Sequence, residues 1–188
     1  MEVVDLVAWA ARESRARLAP LGDRWAHSRA VAVHAREIAS AIDPDDRDVL
    51  FAAAYLHDVG YAPELLAHGF HPLDGAVWLR GQGHERLAGL VAHHTGARFE
   101  AAAHGLAKSI AAFHDERSAV SDALAYSDLT TGPAGERLTV SERLGEIERR
   151  YGQASLVVRA LEAASDTLLE MVGRTEQRLA GVPVIAGD

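Results

Sequence analysis

An all-α fold is predicted for this 188-residue chain by three observations. Alanine and leucine dominate, β-branched runs with period-two alternation are missing, and glycine or proline punctuates stretches of helical periodicity. The length suits one domain that can bury a core without staples.

The elements follow in order. Val3 to Leu18 reads as a first helix ended by Pro20 and Gly22, and Asp23 is placed to cap a second helix running to about Ile42. Asp43-Pro44 breaks the chain, and Asp45 or Asp46 starts a helix through Val49, Ala53 and Leu56 to His57, with Gly60 at its C-terminal exit. After a short helix at Pro63, Pro72 suits the first turn of a segment reaching Leu79. Glu85 to His93 gives another helix with Leu87, Leu90 and Val91 inward, closed by Gly96. Leu106 to Phe113 and Ser118 to Leu129 are two more, the second carrying Asp128 just before the breaker Thr130-Thr131-Gly132-Pro133. Thr139 to Tyr151 follows. The last helix, about Ala154 to Leu179, lines up Val157, Leu161, Ala164, Leu168 and Val172 as a core stripe, with a homodimer seam as the alternative.

Composition removes several classes of function. The chain has no cysteine, so disulfides, thiolate zinc sites, cysteine-ligated iron–sulfur clusters and cysteine nucleophiles are excluded. A net charge of −8 disfavours duplex nucleic acid as a partner but not a small phosphorylated substrate, because bound cations invert the local field. The longest apolar run, Val49 to Leu56, is far short of the roughly 20 residues that span a bilayer, and Glu2 and Asp5 stand where a leader would be basic. No membrane association and a cytoplasmic location are therefore expected. His84-Glu85 is not a zincin helix, since Ala88 stands where the second histidine belongs, and Gly81-Gln82-Gly83 lacks the third glycine of a dinucleotide loop. No Gly-Lys-Ser/Thr occurs, and neither Ser14 nor Ser28 sits in a glycine-flanked elbow.

What remains is histidine and aspartate. All ten histidines fall between His27 and His114, a clustering that points to a metal site built from imidazole and carboxylate donors. The candidate ligands are His27, the adjacent His57 and Asp58, His71, His93, His94 and Asp128, each on or beside a predicted helix. Asp58 falls at a helix C-terminus, where a negative charge opposes the helix dipole and is better explained by a cation. His34, His68, His84, His104 and His114 read as hydrogen-bonded structural residues.

One histidine, a His-Asp pair and a distal aspartate, here His27, His57-Asp58 and Asp128, resemble the pattern of the HD-domain metal-dependent phosphohydrolases, over about Arg24 to Asp128. His71-Pro72 with Gly75-Ala76, and His93-His94-Thr95-Gly96, resemble the subgroup whose extra histidines bind a second metal. In histidine order the nearest types are the diadenosine tetraphosphate hydrolases and the cyclic-di-GMP phosphodiesterases. The Gly-Tyr-Pro signature of the latter is absent, and Tyr61 stands where many two-metal members carry a lysine.

The resemblance implies an HD-domain helical bundle with additional C-terminal helices, one domain with a core at about residues 20–132 and an extension at about 139–180. It implies that His27, His57, Asp58 and Asp128 surround one ion, and that Asp58 bridges to a second held by His71 and His94, with His93 either a further ligand or a neighbour that supports the site or contacts substrate. His57 and Asp58 are then the catalytic pair, and a metal-bridging hydroxide attacks the phosphoester. The two divalent transition ions are expected to be Fe or Mn. Arg24, Tyr61 and Arg98 are the expected substrate contacts, the arginines because a planar guanidinium binds two phosphate oxygens at once. The substrate expected is a nucleotide or another small phosphoester. The rivals are a mononuclear nucleotidase using the four skeleton residues alone, and a non-catalytic metal-stabilised protein that senses a nucleotide.

Overall fold

The computed structural model describes residues 5–181. Asp5 accepts hydrogen bonds from the backbone N–H groups of Val7 and Ala8 and so caps α1 (Leu6–Leu18), satisfying donors that the first helical turn leaves free. The expected start at Val3 lies outside the described residues. Asp23 proves to be the first residue of α2 (Asp23–Glu37) rather than its cap, with Gly22 in the capping position at φ 57°. This helix stops five residues earlier than expected, because Ala39–Ala41 winds into a 3₁₀ turn.

The apolar run becomes α3 (Arg47–Leu56), in which Leu50 to Ala54 and Leu56 are buried. A helix so apolar around its circumference belongs inside the protein, and α3 packs against α1, α2 and later helices. Two of them are α5 (Glu85–His93) and α8 (Ala119–Leu129); α5 in turn packs on α4 (His71–Gly81). Residues Ala97–Ala103 form a helix (α6) where the sequence suggested none, and the segment expected as a helix from Leu106 to Phe113 keeps only the single turn Ala107–Ile110 (α7).

Ser118 caps α8 through a reciprocal capping box with Ser121, and Thr139 does the same with Glu142 for α9 (Val140–Tyr151). Ser155 caps α10 (Leu156–Leu179). Ala164, Leu168 and Val172 of the last helix are buried with Leu129, so the stripe is core packing against α8 and α6, while Val157 and Leu161 are only partly covered. Among the described residues there is no β-strand, only an isolated bridge between Thr131 and Arg137, and no helix is long and apolar enough to cross a membrane. The all-helical expectation holds.

Candidate metal centre

Four helix termini converge on one point. His27 comes from α2, His57 caps the C-terminus of α3 with Asp58 beside it, His71 opens α4, His94 follows α5, and Asp128 stands in the last turn of α8. Placing the donors at helix ends lets short side chains from five separate segments meet without breaking any helix.

Two groups of donor atoms close enough to share a cation result, His27 with His57 and Asp128, and Asp58 with His71 and His94. His27 Nε2 lies 3.0 Å from Asp128 Oδ1, and His71 Nε2 lies 3.4 Å from both Asp58 Oδ1 and His94 Nε2. The division differs from the expectation that His27, His57, Asp58 and Asp128 form one set. Asp58 Oδ1 is nevertheless only 3.7 Å from His57 Nε2, so this carboxylate stands between the groups.

Hydrogen bonding fixes which nitrogen of each ring faces inward. His27 Nδ1 donates to the Gly132 carbonyl at 3.0 Å, His57 Nδ1 to Ala54 at 2.8 Å and His94 Nδ1 to Val91 at 2.6 Å. In the neutral rings each Nε2 then carries a lone pair, the arrangement in which an imidazole binds metal. His57 Nε2 is buried and has no hydrogen-bond partner, while carboxylates sit 3.7 and 3.9 Å away. Lone pairs facing carboxylates and one another across a buried centre repel unless a cation lies between them, so the residues fit a metal centre.

The electrostatics agree. Burial would raise the Asp58 and Asp128 carboxyls, yet the neighbouring His57, Arg24 and His71 hold Asp58 well below the usual range, and the His27 contact does the same for Asp128. Burial pushes His57 and His71 down, which keeps both neutral and available as ligands. His27 is opposite in sign: burial lowers it, but the hydrogen bond to Asp128 and the charges of Asp128 and Asp58 together outweigh burial and raise it.

Arg24 and Tyr61 stand at this centre. Arg24 Nη1 donates to Asp58 Oδ2 at 3.2 Å and Nη2 to the Tyr151 hydroxyl at 3.1 Å, and its guanidinium lies 3.9 Å above the Tyr61 ring. Tyr61 in turn stacks on His71 with 4.0 Å between centroids. Burial and Asp58 push the Tyr61 phenol up, so it stays a donor at neutral pH.

His93 and Arg98 are not brought here. His93 turns the other way and donates Nε2 to the Phe113 carbonyl at 3.0 Å. Arg98, carried off by the unforeseen α6, reaches Thr167 and Asp115 instead. The chain leaves the helix between the two histidines, His93 being the last residue of α5 and His94 having an extended backbone (φ −59°, ψ 145°), so their rings part: His94 faces the centre and His93 does not.

Three residues were missed. Tyr151 and Arg143 arrive from α9, Arg143 buried and helping to hold Asp128 ionised. No local signal marks either. Thr95 donates its hydroxyl to Asp128 Oδ2 from a left-handed backbone (φ 47°, ψ 40°), a conformation that a β-branched residue rarely adopts. Such strain costs about 1–3 kcal/mol and persists where a function holds it. Thr95→Val is therefore expected to weaken metal binding by about 10–100-fold, the usual range for losing a residue that orients a ligand. Thr95→Gly should lose the same affinity yet melt at a higher temperature than Thr95→Val, because the strain is relieved. Metal titrations and thermal melts check both; unchanged affinity in the two variants would remove Thr95 from the centre.

His34 shows what a structural histidine looks like here. Only 8% exposed, it lies 3.2 Å from the Thr130 hydroxyl beside Tyr126, with Arg137 and Glu37 near, and burial with Arg137 lowers its pKa from 6.5 to about 4. The unfolded chain takes up the proton first as pH falls below 6.5, so this residue's contribution is complete above that pH and declines towards pH 4, by up to about 3 kcal/mol. Urea melts at pH 7 and 4.5 should show a smaller decline in His34→Gln than in the wild type; equal declines would clear His34 of responsibility.

A family model described as HD domain matches residues 24–144. No curated protein and no solved structure matches the chain. HD domains are in general metal-dependent hydrolases that bind divalent ions, and the match names no subgroup within them. It covers more than half of the sequence and takes in all six residues that the structure gathers at the centre, and the chain belongs to the HD domain family.

Proposed function

We propose that this protein is a phosphohydrolase that uses two divalent transition ions, Fe or Mn, to hydrolyse a small phosphoester, with nucleotides the first substrates to try. One observation carries the reading: three imidazoles are each tied back through Nδ1 to a backbone carbonyl, with Nε2 of His27 and His57 directed at two buried carboxylates and Nε2 of His94 at His71 beside Asp58. His27, His57 and Asp128 would hold one ion, and Asp58, His71 and His94 the other. When bound, the ions would supply Lewis acidity at phosphate oxygens and bring the pKa of water near neutrality.

The chain's own residues supply position. Asp58 has one oxygen facing the histidines and the other on Arg24, so it ties the metal ligands to the residue best placed to meet phosphate. Burial alone would lower the Arg24 pKa, but Asp58, Tyr61 and Tyr151 raise it, which keeps the guanidinium charged. Its planar face rests on Tyr61, so the fork is pre-oriented and loses little freedom when it binds two phosphate oxygens. Tyr61 adds a neutral donor where a lysine would add charge, which suits a substrate whose charge is largely met by the cations and Arg24.

Metal content by plasma mass spectrometry on anaerobically purified protein, followed by phosphate release from a nucleotide panel, tests the reading. Two equivalents per chain with turnover are expected. His71→Ala or His94→Ala should remove one equivalent, and His27→Ala or Asp128→Ala chiefly the other. Two full equivalents in both the His71 and His94 variants would sink the two-ion assignment, and one equivalent with turnover in the wild type would favour a mononuclear nucleotidase. Tight nucleotide association without turnover at any metal loading would make the protein a sensor.

A further inference from the structure

The two residues that the structure withdraws from the metal centre, His93 and Arg98, both line a cavity of about 620 Å³ that also includes Gly96 and none of the six residues of the centre. Its wall is unusual for a chain of net charge −8, because Arg98, Arg117, Arg174 and Arg178 converge there. Three carboxylates, Asp115, Asp122 and Glu170, share the lining, so the arginines are in excess.

The ion pairs show where that excess lies. Buried Asp122 is gripped by Arg174 through Nε and Nη2 at 2.9 and 2.6 Å and by Arg178 Nη1 at 2.8 Å, which leaves that cluster one positive charge over. Asp115 likewise faces two arginines, Arg117 Nε at 3.0 Å and Arg98 Nη1 at 3.7 Å. Glu170, mostly exposed, reaches Arg174 only at 3.8 Å and is largely screened by water. An arginine has five donors, and Arg117 and Arg178 each use one of theirs in these contacts. Arg117 is also one of two non-glycine residues in the described chain with a left-handed backbone, at φ 44°; the other is Thr95 of the metal centre. Backbone strain of this kind collects at ligand sites.

We infer that this cavity binds a phosphate-chain anion, pyrophosphate or the polyphosphate part of a larger molecule, at a site separate from the metal centre. Its volume is more than pyrophosphate fills and has room for the polyphosphate part of a larger molecule, and several guanidinium forks around one concavity match an anion with many equivalent oxygens. No aromatic ring other than His93 lines it, so the phosphate chain and not a base is what it recognises.

Calorimetric titration of the metal-loaded full chain with pyrophosphate tests this, beside Arg98→Gln/Arg117→Gln and the metal-ligand variant Asp58→Asn. Both arginines are substantially exposed, so the double variant is expected to fold normally. The expected result is a binding step that survives in Asp58→Asn and weakens at least about tenfold in the double arginine variant. A chelator-treated wild-type sample should keep the same step. No pyrophosphate binding beyond the metal centre, or a step lost on chelation and unaffected by the arginine changes, would overturn the assignment. Adenosine diphosphate should bind no more tightly than pyrophosphate; a preference of about tenfold or more would overturn recognition of the chain alone.

Discussion

Replacing Asp58 by asparagine is expected to strip metal from both halves of the centre and to reduce phosphoester hydrolysis by about a thousandfold or more, the consequence of losing several kcal/mol of metal-derived stabilisation. The reason lies in its two oxygens. Oδ1 is within 3.7 Å of both His57 Nε2 and His71 Nε2, so it serves both donor groups, while Oδ2 anchors Arg24. An amide keeps the shape but removes the charge that offsets two cations, and it can present only one oxygen. His27→Ala, by contrast, takes a donor from one group only and should leave the other ion bound. Metal content, measured on protein whose circular dichroism matches the wild type, separates these cases without reference to turnover. An Asp58→Asn protein that retained two equivalents would mean that the carboxylate does not link the groups.

The candidate site was legible in the sequence to the extent that chemistry restricts residue type. Without cysteine, a metal centre had to be built from histidine and carboxylate, and six of the seven expected ligands do meet. The exception was also decidable from periodicity. Leu87, Leu90, Val91 and His94 fall at the spacing of one buried helical stripe, which puts His94 inward and His93 off it. Arg98 failed for a different reason. Gly96 reads as the close of a helix, but α5 already ends at His93, and Gly96, with φ 73°, stands at the start of α6, which carries Arg98 to another face.

What periodicity could not show are contacts made between distant segments. Tyr151 holds Arg24 across 127 positions of sequence, and the Gly132 carbonyl fixes the His27 ring across 105. Neither residue type announces such a role, since a carbonyl belongs to every residue. The one residue read as a cap, Asp23, yields that position to a glycine whose backbone is left-handed, while Ser118 and Thr139, which open their expected segments, cap helices, as does Asp5 within the segment expected to start at Val3.

Gly60 was read as a helix exit, and its structural role leads to the largest expected effect on stability. It lies in a 3₁₀ turn, Val59–Tyr61, without a left-handed φ, so backbone conformation is not what requires glycine there. Space is. A Cβ at this position would lie 2.0 Å from the His71 carbonyl oxygen and 2.6 Å from the Gly75 nitrogen, both backbone atoms of α4 that no side-chain rotation can move. The turn after His57-Asp58 must therefore separate from the helix that His71 begins. Overpacking a core typically costs about 1–3 kcal/mol, and a clash between two backbones belongs at or above the top of that range. For a chain of this size, Gly60→Ala should lower the melting temperature by on the order of 10 °C. Gly81→Ala, at the other end of α4 with no atom within 4 Å of the added methyl, should leave it unchanged or slightly raised. The separation also carries His71 away from Asp58, so the ion assigned to Asp58, His71 and His94 should weaken before its neighbour does. A Gly60→Ala protein with wild-type melting and full metal content would show that α4 does not press on this turn, and the close approach that sets His71 against Asp58 would lose its basis.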